Sequence, residues 1–93
     1  MDRRFFIDPT SGLPHIYGHD VTELEVADVL DRPYEDRPGA GGARVAVGQT
    51  RSGRYVRVIY VPDPTPGGIF VITAYELGPN AKKALRRRLR KNK

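Results

Sequence analysis

Three β-prone runs follow one another in the second half of this chain, at 44–50, 54–61 and 69–76, with only turn chemistry between them. Each alternates apolar with polar or second-face residues at period two, the signature of a pleated strand. Ser52-Gly53 supplies a tight hairpin between the first two. The segment 62–68 holds Pro62, Pro64 and Pro66 and ends in Gly67-Gly68, so no ladder can continue through it. Connections this short join antiparallel neighbours, and the pattern predicts a three-stranded meander.

Helical punctuation flanks the meander. Thr22 followed by Glu25 forms a capping-box pair at a helix start. Val21, Leu24, Val26, Val29 and Leu30 mark an apolar face behind it, and Pro33 ends it, which predicts a helix over 23–31. Gly78-Pro79 breaks the last strand, and Ala81, Ala84, Leu85 and Leu89 recur at helical spacing, predicting a basic C-terminal helix over 79–91. Near the N-terminus Phe5-Phe6-Ile7 reads as a short strand, and His15-Ile16-Tyr17 as one helical turn. Segment 34–42 carries charges of both signs, ends in a Gly-rich patch and reads as a loop. The expected order is β-α-β-β-β-α, an α+β domain whose small antiparallel meander sheet is covered by helices.

Residues 1–93 allow one domain and one core, thin enough that a partner or self-association would add stability. There are no cysteines, which excludes disulfides and thiolate metal sites. No apolar run reaches membrane-span length and no signal-peptide core follows Met1, so a cytoplasmic location is expected. Charge is the most uneven property. Eight of the 16 basic residues lie in the last twelve positions, without an acid among them, while 1–81 carries a net −3. Lys82, Lys83, Arg86, Arg87, Arg88, Arg90, Lys91 and Lys93 thus form a stripe suited to a polyanion or an acidic protein. The plainer interpretation is a solvated helix whose cations complement its dipole.

Strand alternation divides the sheet into two faces. Val56, Val58, Phe70 and Ile72 are expected to form the core face. The opposite face ends in Arg57, Thr73 and Tyr75, with Gln49 beside them. A guanidinium among hydroxyls can clamp a phosphate through its planar fork of donors, although a half-exposed sheet face with routine polar residues would read the same way. His15, His19 and Glu23 repeat at intervals of four, but Gly18, Asp20 and the new helix start at Thr22 interrupt any helix that would aim them at one metal. No metal or cofactor site is expected.

The succession of motifs resembles BrnT-type toxins of type II toxin–antitoxin systems. His15-Ile16-x-x-His19-Asp20-Val21-Thr22-x-x-Glu25-Val26 is similar to that family's H-x-x-x-H-G-V-x-x-E-E-V opening. Gly48-x-Thr50-x-x-Gly53-Arg54-Tyr55-x-x-Val58 and Val71-Ile72-Thr73-Ala74 resemble its hairpin G-x-T-x-x-G-R-x-L-x-V-V and its third strand V-I-T-A-R. The chain departs from the pattern at two places: Asp20 stands where Gly is common, and Tyr75 followed by Glu76 where Arg is common.

The resemblance implies a RelE-like ribonuclease fold, metal-independent RNA cleavage and neutralisation by a cognate antitoxin protein. It carries over His19, Arg54 and Thr73. Strand geometry adds Arg57, and Tyr75 and Glu76 are candidate proton-transfer groups. Lys82, Lys83, Arg86, Arg87, Arg88 and Arg90 are the expected RNA-binding cations. The alternative from the same residues is a non-catalytic module that binds nucleic acid or protein.

Overall fold

The computed structural model describes residues 3–63 and 67–91. Five strands form one mixed sheet in the order β1-β5-β4-β3-β2. In chain order they are β1 (Arg3–Phe5), β2 (Glu35–Pro38), β3 (Arg44–Gln49), β4 (Tyr55–Pro62) and β5 (Ile69–Glu76). Helix α1 (Glu23–Asp31) separates β1 from β2, and α2 (Pro79–Lys91) closes the chain. A 3-10 turn at His15–His19 precedes α1, and a second at Ala40–Gly42 precedes β3. The α+β class, the β3-β4-β5 antiparallel meander and both helices agree with the sequence. Positions 64–66 of the expected proline turn, and Lys93 of the basic stripe, lie outside the described residues.

Three expectations need correction. The N-terminal strand is Arg3–Phe5, not Phe5-Phe6-Ile7, and it lies parallel to β5, so the sheet is mixed rather than wholly antiparallel. Segment 34–42 is not simply a loop: Glu35–Pro38 pairs antiparallel with β3. Its sequence is almost wholly polar because it is an edge held by cross-strand charge pairs, among them Arg44 Nε to Asp36 Oδ1 at 2.9 Å. Pro38 is tolerated there at the strand's end, where a missing donor costs no interior ladder bond.

The third correction concerns the core face. Val58 pairs with Ala74 and Ile59 with Thr73, but Tyr60 pairs with Val71. Ile72 is the extra residue of a β-bulge, and the bulge exchanges the faces of β5 on either side of it. Val71 and Ala74 are therefore fully buried with Val56 and Val58, while Phe70 pairs with Val61 on the opposite face.

The core gathers Ile16, Val21, Val26 and Val29 from the 3-10 turn and α1 over Ala46, Val56, Val58, Val71 and Ala74 of the sheet. Gly48 lets α1 approach closely: a Cβ there would stand 3.3 Å from the Arg32 carbonyl oxygen and 3.4 Å from the Val29 Cα. A smaller cluster on the other face joins Val47 and Leu77 to Leu85 of α2, with Val45, Tyr55, Ala81 and Leu89 packed around it. The sheet is thus covered by α1 on one side and partly by α2 on the other. Among the described residues no helix is long and apolar enough to cross a membrane.

Candidate active site on the outer sheet face

The capping box of α1 forms as the sequence predicts, with the Glu25 N–H donating to Thr22 Oγ1 at 3.2 Å and the Thr22 N–H donating to Glu25 Oε1 at 3.0 Å. Just before it, the chain leaves the 3-10 turn through Asp20, whose φ of 60° is left-handed. Glycine adopts this region freely and aspartate is among the residues that tolerate it. The geometry at this point of the chain is one that either glycine or aspartate allows.

Buried Ile16 anchors the 3-10 turn in the core, and the turn packs against β5. This leaves His19 exposed with its ring 6.1 Å from that of Tyr75. His15 lies edge-on to His19 at 5.0 Å, and the Phe6 ring is tilted against His15 at 5.8 Å. Asp8 Oδ2 is 3.7 Å from His15 Nδ1. The Asp8 carboxyl is held below its ordinary value, first by the Thr10 N–H and, more weakly, by His15.

Across the sheet, Glu35 pairs with Val47, Val47 with Arg57 and Arg57 with Tyr75. These four share one row of the face that α2 partly covers. Arg57 Nη1 is 3.3 Å from the Tyr75 hydroxyl, and its guanidinium carbon lies 5.7 Å from the Tyr75 ring centre. Three of the six candidate catalytic residues, His19, Tyr75 and Arg57, thus adjoin one another in a line.

The other three are arranged differently. Arg54 sits in a cage: its Nη1 donates to the Asp20 carbonyl at 2.8 Å and to both Glu25 oxygens at 2.9 and 2.8 Å. Its Nη2 reaches Glu76 Oε1 at 3.3 Å, so Arg54 and Glu76 are paired with each other. Thr73 pairs with Ile59, beyond Tyr75, and its buried hydroxyl has no hydrogen-bond partner among the described residues.

The hairpin motif has structural work in this arrangement. Thr50 Oγ1 accepts the Arg54 N–H at 3.1 Å, and Gly53 takes a φ of +93°. Gly48 admits α1, and Arg54 then ties the strand to the α1 N-terminus.

Sequence reasoning missed Glu35. It takes Arg88 of α2 in a two-pronged pair, 2.6 Å from Nε and 2.9 Å from Nη2. Hydrogen bonding to Arg88 is the main cause that holds the Glu35 carboxyl below the usual range, and the charges of Arg37 and Arg57 act in the same direction. Its only sequence signal was an acid in a β3-adjacent segment facing a cationic helix. Arg88 is therefore engaged in folding. Lys82, Lys83, Arg86, Arg87, Arg90 and Lys91 have no ion pair among the described residues. Arg86 lies over the Tyr55 ring at 5.7 Å. His15 and His19 do share one turn, but Glu23 accepts the Tyr17 hydroxyl at 3.0 Å, and no three His, Cys, Asp or Glu residues among those described converge as metal ligands.

No family model, no curated protein and no solved structure matches this chain.

Proposed function

We propose that this protein is a metal-independent endoribonuclease toxin with a RelE-like fold, neutralised by a cognate antitoxin protein. The observation that carries the reading is the His19–Tyr75–Arg57 line, in which the half-buried phenol and guanidinium of the sheet meet an exposed imidazole from the 3-10 turn. The left-handed backbone at Asp20 and the structural parts played by Gly48, Thr50 and Gly53 add support, since they give the motif resemblance a physical basis.

The chemistry follows from these groups. An imidazole nitrogen can accept a proton, so His19 serves as base toward a ribose 2′-hydroxyl. The 2′-oxygen attacks the adjacent phosphorus, the P–O5′ bond breaks, and the 5′-oxygen leaves with a proton from Tyr75 or water. Arg57 offsets the charge that builds on the phosphoryl oxygens as the phosphorus becomes five-coordinate. The products are a 2′,3′-cyclic phosphate and a 5′-hydroxyl. The cations of α2 other than Arg88 draw the RNA toward this face.

Incubation of the purified protein with long RNA, with and without ribosomes, tests the reading. Cleavage should leave cyclic phosphate ends, persist in EDTA, and fall by about 100-fold or more in His19→Ala. Arg57→Ala and Tyr75→Phe should each lower it with the fold intact. An absence of cleavage, together with harmless expression in a bacterial host, would sink the enzyme reading.

The mutual pairing of Arg54 and Glu76 favours a second reading, because it engages two of the candidates with each other. In that case the fold and α2 bind nucleic acid or an acidic protein without cutting it, and His19→Ala would bind RNA as the wild type does.

A further inference from the structure

A second patch lies at the end of the sheet beyond Tyr55, outside the His19–Tyr75–Arg57 line. Tyr34, just before β2, is 44% exposed and its ring stands 6.3 Å from that of Tyr55. The Arg86 guanidinium carbon lies 5.7 Å from the centre of the Tyr55 ring. The Tyr34 hydroxyl donates to Gln49 Oε1 at 2.9 Å, and Gln49 Nε2 donates to the Gly53 carbonyl at 3.2 Å. Tyr34 is therefore fixed at its tip and along its side, while the rest of its ring remains open.

The open side borders a depression of about 760 Å3 that Tyr34, Gln49, Arg32 and Arg51 help to line. That volume falls within the roughly 300–1,000 Å3 of ligand-holding clefts. Two acids also line it, but each is engaged: Asp28 accepts the Arg51 N–H at 3.0 Å, and Asp31 pairs with Arg3 at 2.7 Å. The Arg32 guanidinium is exposed and has no ion pair among the described residues.

We propose that Tyr34 is a stacking platform for one base of single-stranded RNA, with Arg32 and Arg86 holding the phosphates on either side and the Gln49 amide facing the base edge. Gln49 uses one donor and one acceptor in fixing Tyr34, which leaves its second N–H and second lone pair for a base. A pre-fixed aromatic ring gains stacking energy with little loss of side-chain freedom, and stacking tolerates any base. The spacing suits a strand that continues to the cleavage line. Tyr55 and Arg57 point to the same face of β4 and lie about 7 Å apart along it. A strand with a phosphate on Arg57 passes Tyr55, whose ring is 6.3 Å from that of Tyr34, before it reaches the platform. The proposal rests on the RNA reading and extends it to a substrate subsite.

The test uses a fluorescently labelled 2′-O-methyl oligonucleotide, which binds without being cut, and an abasic oligonucleotide of the same length. Tyr34→Ala should weaken the base-bearing strand by about tenfold or more, Tyr34→Phe should keep most of the affinity, and wild type and Tyr34→Ala should bind the abasic strand equally. The chain has no tryptophan, so Tyr34→Trp adds a single reporter whose emission should be quenched by the base-bearing strand. If wild type and Tyr34→Ala bind that strand alike, or if Tyr34→Ala weakens both strands equally, the stacking site is overturned and the RNA reading survives. If the wild type binds neither strand, both fail.

Discussion

Glu25 closes the capping box of α1 with one of its oxygens and receives the Arg54 guanidinium on both. One carboxylate thereby fixes a helix start and fastens it to the first residues after a hairpin. The pair is partly buried, with 26% of the Arg54 and 16% of the Glu25 side chain exposed. Arg54→Ala would remove donors from Glu25, Glu76 and the Asp20 carbonyl together. Expected destabilisation is about 1.5–3 kcal/mol, the range for hydrogen bonds to charged groups, measured by urea denaturation. An unchanged midpoint would show that Arg54 is free to act on substrate instead.

Gly48→Ala places a methyl group against the backbone of α1, at 3.3 Å from the Arg32 carbonyl oxygen. Backbone yields less readily than a side-chain tip, so the helix must lift from β3. The variant should lose about 1–2 kcal/mol, and a crystal structure should show α1 displaced. Wild-type stability would mean that the helix already has room to move.

The Glu35–Arg88 pair predicts an acid limit. The Glu35 carboxyl is held below its ordinary value in the folded chain, chiefly by hydrogen bonding to Arg88. The unfolded chain therefore binds this proton more readily as pH falls. The pair's stabilisation is complete above about pH 4.3, and is lost as pH drops through the folded value. Thermal melts across that window should show a shallower acid decline in Arg88→Gln than in the wild type. Parallel curves would mean that the pair contributes nothing to folding.

Cations on α2 divide into two kinds. Arg86→Gln, Arg87→Gln and Arg90→Gln together should flatten the salt dependence of single-stranded RNA binding by about 0.7 in slope for each phosphate no longer neutralised. Arg88→Gln should leave that slope close to the wild-type value, because its charge is already met by Glu35. Equal effects from the two sets would place Arg88 on the RNA instead.

The meander and both helices were readable because local rules agreed: period-two runs, turn residues, a capping box and a proline at a helix start. The bulge was not, since Phe70, Val71 and Ile72 are apolar on both faces and periodicity cannot reveal an inserted residue. Strand β2 hid behind its charges, whose partners Arg44 and Arg88 come from later in the chain. At the candidate site, alternation correctly put Arg57 beside Tyr75. His19 joined them only through the 3-10 turn that Ile16 anchors, and the cage around Arg54 needed three elements to meet.

Strand β1 pairs position 3 with position 69, so the first strand waits for the last one. The hairpins between β3, β4 and β5 close short loops, whereas β1 closes the long stretch from position 5 to position 69 for three residues of parallel ladder. Loop-closure entropy and low contact order favour an order of assembly in which the meander forms early and β1 docks late. The same argument makes β1 the first element to open. Amide exchange at Phe6, whose N–H donates to the Val71 carbonyl, should therefore run faster than at Val56 and Val58, and equal protection would mean that the sheet opens as one unit. A ribosome-bound chain would expose the β5 edge only until the N-terminal strand returns to cover it.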